Sequence, residues 1–236
     1  ITKSGSTYSA SLLDIGKDAK IKKLDPKALN SFQNIDLFGI SSTSDSFNIV
    51  GVSSSKLHTA TVSFDGQVSE KSYDYTHGDD ALDVRRVQDT VVLAKGQKGL
   101  ELLRLKGGSP HTISLSSQDL ELPSDYSITS LFLDEERNTV FAYSKTSENG
   151  VIVGLNLQNP DEIRLIQILT PKGSVQLLTR SGNNIFAAMT IEGKPYLVRY
   201  TATSPSNPNS AFQENGRMIL PSAPKTLLSF DSDIVL

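Results

Sequence analysis

One unit, a polar turn leading into a short apolar strand, recurs along this chain, and that recurrence limits the folds open to it more than any other feature. The copies are "FNIVGV" from Phe47, "DTVVLA" from Asp89, "NTVFAY" from Asn138, "NNIFAA" from Asn183 and "SDIVL" at the C-terminus. Their central residues, Ile49, Val91, Val140, Ile185 and Ile234, are separated by 42, 49, 45 and 49 residues. Each of the first four copies is preceded by an apolar strand and followed by two more, with Ser, Thr, Asn and Gly between them. β-branched residues dominate the short runs and helical periodicity is almost absent, which is the pattern of many small strands.

Four strands in a tandem meander make one blade, and several blades make a β-propeller. The fifth unit has only its first two strands, "KTLLSF" and "SDIVL". Its missing half lies at the other end: residues 7–15 ("TYSASLLDI") read as a third strand and "AKIKKLD" from Ala19 as a fourth. Counting from Ile234 through Leu236 into Ile1 reaches Ile49 after 51 residues, close to the other intervals. The expected fold is therefore all-β: one domain over residues 1–236, a five-bladed β-propeller of four-stranded antiparallel blades, with one blade shared between the two chain ends. Sharing a blade removes the open sheet edge that an unclosed ring would expose.

Blade two, "ALDVRRVQDTVVLAKGQKGLELLRLKGGSPHTISL", resembles the LVIVD-type propeller repeat. Blade three, "NTVFAYSKTSENGVIVGLNLQNPDEIRLIQIL", is similar, including its Asn159-Pro160 turn. Both depart from that repeat at the end of the third strand, where Leu105-Lys106 and Leu157-Gln158 replace the usual Val-Asp. The resemblance implies the fold and no particular activity. Five-bladed glycosidases and lectins lean on aromatic platforms, often Trp, to stack on sugars, and this chain has no Trp.

Composition narrows the function classes. The 23 basic and 26 acidic residues are mixed along the chain and give a net charge of −3. Basic residues never run longer than Lys22–Lys23 or Arg85–Arg86, so no nucleic-acid footprint is expected. No apolar stretch approaches the ~18 residues of a membrane span, so membrane insertion is not expected. Cysteine is absent, which excludes disulfides and thiolate chemistry. The opening "ITKSGSTYSA" has neither a Met nor an apolar signal core, so the sequence reads as a part of a longer protein.

In a propeller the loops between blades share one face with those joining second to third strands. The densest chemistry on that face is "YDYTHGDDALD" at residues 73–83. Tyr73, Tyr75 and His77, with Tyr8 beside the N-terminal loop, are the candidate ligand-binding residues. Asp74, Asp79, Asp80 and Asp83 are the candidate metal ligands, with calcium the fitting ion because hard cations take oxygen donors. A structural inter-blade turn, with its aspartates capping backbone amides, is the alternative. His58 and His111 are isolated and read as structural or exposed, and "LDEERN" (133–138) reads as a solvated hairpin. The long polar segment 203–216 lies on the opposite face and carries Phe212.

These features point to a non-catalytic recognition module that presents loops to a protein or glycan, as in a spike or adhesin on a cell or virion surface. Two alternatives stand beside it: a cytoplasmic interaction scaffold, and a glycosidase-like hydrolase using carboxylates at the channel mouth. For the hydrolase, Asp36 and Asp83 begin the first strands of blades one and two, while "SITS", "SVQL" and "KTLL" offer no third acid. Two acids meet the minimum for glycoside chemistry.

Overall fold

The computed structural model describes residues 1–5, 7–10, 13–15, 21–23, 27–43, 45–76, 78–106, 109–146, 150–159, 163–169, 172–204, 206–207, 210–230 and 233–235. Blade one is built from Leu37–Ser42, Ser46–Val52, Lys56–Ser63 and Val68–Asp74. Blade two has Asp83–Val87, Thr90–Ala94, Leu100–Arg104 and His111–Leu115. Blade three has Ser130–Asp134, Thr139–Tyr143, Ile152–Asn156 and Arg164–Leu169, and blade four Ser174–Ser181, Asn184–Ile191, Lys194–Ala202 and Phe212–Ile219. Each is an antiparallel sheet with its strands in sequence order. Neighbouring first strands lie beside one another from blade one to blade four, and Leu228–Phe230 of blade five lies beside Ser174–Ser181.

Blade five takes its strands from both ends of the chain. Leu228–Phe230 and Asp233–Val235 form a hairpin, while Thr2–Ser4, Thr7–Ala10 and Lys27–Leu29 form a sheet. Tyr8 pairs with Leu29 and Ala10 with Lys27, and Leu13–Ile15 pairs with Ile21–Lys23. Within the expected third strand at 7–15 the described pieces are Thr7–Ala10 and Leu13–Ile15; Ile21–Lys23 of the expected "AKIKKLD" strand pairs with the second, and Lys27–Leu29, beyond that segment, with the first. Among the described residues, no strand pairing joins the C-terminal hairpin to the N-terminal sheet.

The physical logic of a blade is visible in its second strands. These are covered on both faces by neighbouring blades, so Thr90–Ala94 and Thr139–Tyr143 are buried at every position and read as continuous apolar runs. Outer strands meet solvent on one face, and Val68–Asp74 and His111–Leu115 accordingly carry mostly polar, exposed residues. Separate buried clusters seal successive blades. Val50, Val52, Leu57 and Tyr73 meet Val84, Leu93 and Leu103 between blades one and two. Val92, Leu100 and Leu102 meet Leu131, Val140 and Val153 between two and three. Phe141 and Ile152 meet Val175, Ile185 and Val198 between three and four. Tyr8, Ala10 and Leu29 meet Ile49, Ala60 and Val62 between five and one. Each fully buried Val or Leu contributes about 1.5–3 kcal/mol, so the ring is held by its inter-blade seams.

Two local features set the spacing. A Cβ on Gly39 would sit 2.2 Å from the carbonyl oxygen of Val84, so glycine is what lets the first strands of blades one and two approach. Asn138 takes a left-handed φ of 49° to close the hairpin of blade three, a conformation asparagine tolerates better than most residues. That hairpin corrects the reading of "LDEERN" as fully solvated. Asp134 and Arg137 are buried, and Arg180 of blade four pairs with Asp134 and, at 2.9 Å, with Glu136.

Candidate functional site

The chemistry of the loop face concentrates beside blade two. Its second strand ends at Ala94, and the chain then turns through Lys95–Gly99, where the Lys95 N–H donates to Gly99 O at 2.9 Å. A side chain at Gly99 would collide with Leu115 O at 2.1 Å, so this turn packs directly on the fourth strand. Gly96 and Ile128 exchange backbone hydrogen bonds of 3.0 and 3.1 Å, tying the turn to the connection that leads into blade three.

This turn walls a cavity of about 400 Å³ together with Asp80, Leu100, Glu101, Thr112 and Ser114. Lys95 and Glu101 line it, and Tyr75, buried behind them, bonds to both. The Tyr75 hydroxyl donates to Glu101 Oε2 at 2.9 Å, Lys95 Nζ lies 3.6 Å from the same oxygen, and Lys95 Nζ donates to the Tyr75 hydroxyl at 3.5 Å. The Lys95 ammonium also lies 5.8 Å from the Tyr75 ring centroid, a cation–π distance. The side chains of Lys95 and Glu101 are only 5% and 9% exposed, so the charges neutralise one another away from bulk water. At the rim, the exposed Lys98 pairs with Asp80. Register places Glu101 opposite Ser114 and Leu103 opposite Thr112, so Thr112 and Ser114 present their hydroxyls from the exposed outer strand.

The residues singled out from sequence are dispersed. Asp80 lines the cavity, and Tyr75 lies behind it, bonded to Glu101. Tyr73 and Tyr8 do not stand in loops as exposed anchors. Tyr73 is 7% exposed in the seam between blades one and two, and Tyr8 is 3% exposed with its ring 5.3 Å from Phe38. Tyr75 is likewise buried, at 5%. Phe212 opens the fourth strand of blade four, buried edge-on to Phe141 at 5.8 Å and beneath the Arg137 guanidinium at 5.3 Å, so it is not part of an exposed loop. The alternation of the sequence explains all four, because each aromatic sits in a strand or just past its end, where one face of the blade is buried.

The aspartates face different partners. Asp74 is almost fully exposed and pairs with Lys56 at 2.9 Å, a bond that holds its carboxyl below the usual range. Asp80 pairs with Lys98. Asp83 accepts from Arg85 Nη1 at 2.7 Å and from the N–H groups of Val84 and Leu131, both at 2.8 Å. His77 and the side chain of Asp79 lie outside the described residues. Among the described residues, no three His, Asp or Glu side chains gather as a metal site. Asp36, the other candidate acid, is exposed, and its N–H donates to Val52 O at 2.9 Å.

Sequence reading missed Lys95 and Glu101. The available signal was Glu101 set within "GLELLRL", a charge between leucines on a strand whose neighbours are buried. Such a residue needs a partner, and the turn before it offers two lysines, Lys95 and Lys98. His58 proves structural: it is 4% exposed, with Nδ1 2.9 Å from Ser72 Oγ and its ring 5.6 Å from Phe32. No helix among the described residues is long and apolar enough to cross a membrane.

No protein-family model matches this chain, and no curated protein matches it. Solved structures do resemble it. A chain of the nidogen/laminin complex superposes with a TM-score of 0.53 at 13% identity, over 97% of this chain and 81% of that one. A putative 6-phosphogluconolactonase from Bacteroides fragilis gives 0.52 at 9% identity, over 90% and 67%. The β-propeller domain of Cps50 (Swd1) from Myceliophteria thermophila gives 0.51 at 9% identity, over 85% of this chain and 62%, less than two thirds, of that one. At these identities the likeness is one of fold, and the protein is a five-bladed β-propeller.

Proposed function

We propose that the protein is a non-catalytic recognition module that holds a protein or glycan partner on its loop face, at a cell or virion surface. The observation that carries this reading is the cavity beside blade two. Its Lys95–Glu101 pair is charge-balanced and held in place by the Tyr75 hydroxyl, and its rim offers the ammonium of Lys98 and the hydroxyls of Thr112 and Ser114. Fixed donors on a rigid scaffold recognise polar groups at low entropic cost. Residence at a surface rests on the Ser-, Thr- and Asn-rich, cysteine-free sequence, and the LVIVD-type character of blades two and three bears on fold alone. A cytoplasmic scaffold would use the same face.

Flow cytometry with fluorescently labelled protein tests this. Lys98→Glu combined with Thr112→Ala is expected to reduce binding to receptor-bearing cells by about tenfold, the weight of roughly 1.4 kcal/mol, with an unchanged melting temperature. Binding equal to the parent's sinks the reading.

One observation favours hydrolysis instead: Asp36 immediately precedes the first strand of blade one and Asp83 starts that of blade two, in a fold that resembles a putative lactonase. Turnover of a glycoside or lactone library, lost in Asp36→Asn or Asp83→Asn, would replace recognition with that reading.

A further inference from the structure

The face opposite the cavity carries the hairpins that join first to second strands, and blade three's hairpin reaches across it. Glu135 Oε1 accepts the Ser42 backbone N–H at 2.6 Å, and Oε2 accepts the Ser42 hydroxyl at 3.0 Å. Ser42 belongs to blade one, so this clasp spans blade two. Beside it lies a second cavity, of about 340 Å³, walled by Ser41, Asn48, Arg86, Gln88 and Asn138 as well as the clasp residues.

Arg86 is the unusual group in that wall. Its Nε donates to Gln88 O at 2.9 Å and its Nη1 to Thr61 Oγ1 at 3.4 Å, both neutral acceptors. Burial pushes its pKa below the ordinary arginine value against the pull of Asp89 and Tyr73, and among the described residues it makes no ion pair. Glu135 and Glu136 line the same cavity, yet neither bonds to Arg86, and a desolvated guanidinium without a bonded carboxylate favours an incoming anion.

We propose that this mouth is a receptor for the carboxylate of an acidic peptide side chain, and that Glu135 occupies it as an internal stand-in. Ser42 supplies two donors, one for each oxygen of a planar carboxylate, and Glu135 demonstrates the fit. The molecule uses the same arrangement elsewhere: Glu70 takes the Asn30 N–H on Oε1 at 3.0 Å and the Ser31 N–H on Oε2 at 2.7 Å, with the Ser31 hydroxyl joining the latter. An external carboxylate that displaces Glu135 gains the Ser42 donors in a cavity that Arg86 also lines. A tethered competitor lowers the apparent affinity of the free ligand, so the site is masked until a partner brings its acid at high local concentration.

The experiment titrates sodium glutarate into the parent, Glu135→Ala and Glu135→Ala/Arg86→Met, reading the Ser42 amide by NMR and the melting temperature, with sodium sulfate at equal ionic strength as control. Glu135→Ala is expected to melt lower than the parent and to be rescued by glutarate at a midpoint about tenfold below the parent's. The double variant is expected to lose that response. If Glu135→Ala does not fold, Glu135→Gln is read by the same amide shift. Equal glutarate midpoints in parent and variant overturn the proposal. So does a sulfate response equal to that of glutarate, which would indicate a general or phosphate-type anion site.

Discussion

Asp83 on blade two accepts the backbone N–H of Leu131 on blade three at 2.8 Å through Oδ2, while Oδ1 holds Arg85. Position at the start of a first strand suggested an acid facing the channel mouth. The same position also lies where the next blade's first strand passes, and there a carboxylate satisfies a backbone donor that would otherwise be lost. Asp83→Ala is expected to cost about 1–3 kcal/mol, since it leaves the Leu131 N–H unpaired. Asp83→Asn, which keeps an acceptor, is expected to cost less. Urea denaturation distinguishes them, and an unchanged midpoint for the alanine variant refutes the inter-blade role.

The Lys95–Glu101 pair predicts a compensation. Lys95→Met leaves the Glu101 carboxylate buried with only the Tyr75 hydroxyl, and is expected to cost about 3–5 kcal/mol. Lys95→Met with Glu101→Leu removes both charges and is expected to recover most of that loss. A double variant no more stable than the single one shows that the two charges do not act as a pair.

His58 sets a pH dependence. Burial, with help from Lys56 and against the pull of Glu70, holds its pKa below 6.5 in the folded chain. The unfolded chain therefore takes up a proton below pH 6.5 while the folded chain resists. Stability contributed by the neutral ring is complete above that value and declines as pH falls toward the folded pKa. His58→Gln is expected to flatten the melting-temperature profile between pH 7 and 5 (about the span of an unperturbed histidine titration). An identical slope in the variant assigns the acid sensitivity to other groups.

Much of this architecture was legible because the blade repeat is written in residue type. Ile49, Val91, Val140 and Ile185 each sit buried within a second strand, in a mostly apolar run. The site was less legible for a physical reason. Clustering along the chain at 73–83 does not mean clustering in space, because alternate strand residues point to opposite faces. Tyr73 therefore enters the seam while Asp74 points to solvent and Lys56. Lys95, Glu101 and Tyr75 meet across three separate segments, and no local motif encodes that.

The candidate cation ligands make a sharp test by calorimetry. Asp74, Asp80 and Asp83 each hold a basic partner, respectively Lys56, Lys98 and Arg85. A calcium ion would have to displace those cations, so millimolar calcium is expected to leave the melting temperature where a chelator leaves it. A calcium-dependent rise that disappears in Asp79→Ala/Asp80→Ala would instead establish a site in residues 73–83.

Ring closure is open to the most direct test. The hairpin Leu228–Phe230/Asp233–Val235 lies beside the first strand of blade four, and the N-terminal sheet packs Tyr8, Ala10 and Leu29 onto blade one. If these two groups make one blade, removing residues 225–236 strips two of its strands and opens an edge, and open edges pair with other chains. The truncated chain is expected to melt well below the parent and to aggregate on heating. Joining Leu236 to Ile1 and reopening the chain within 203–211 tests the same relationship without deleting anything. Thr203 and Ala211 are already bridged across that loop by a backbone hydrogen bond of 2.8 Å, so new ends there disturb little. The permutant is expected to fold and to melt near the parent. A truncated chain as stable as the parent, or a permutant that fails to fold, means that the two ends do not share a blade.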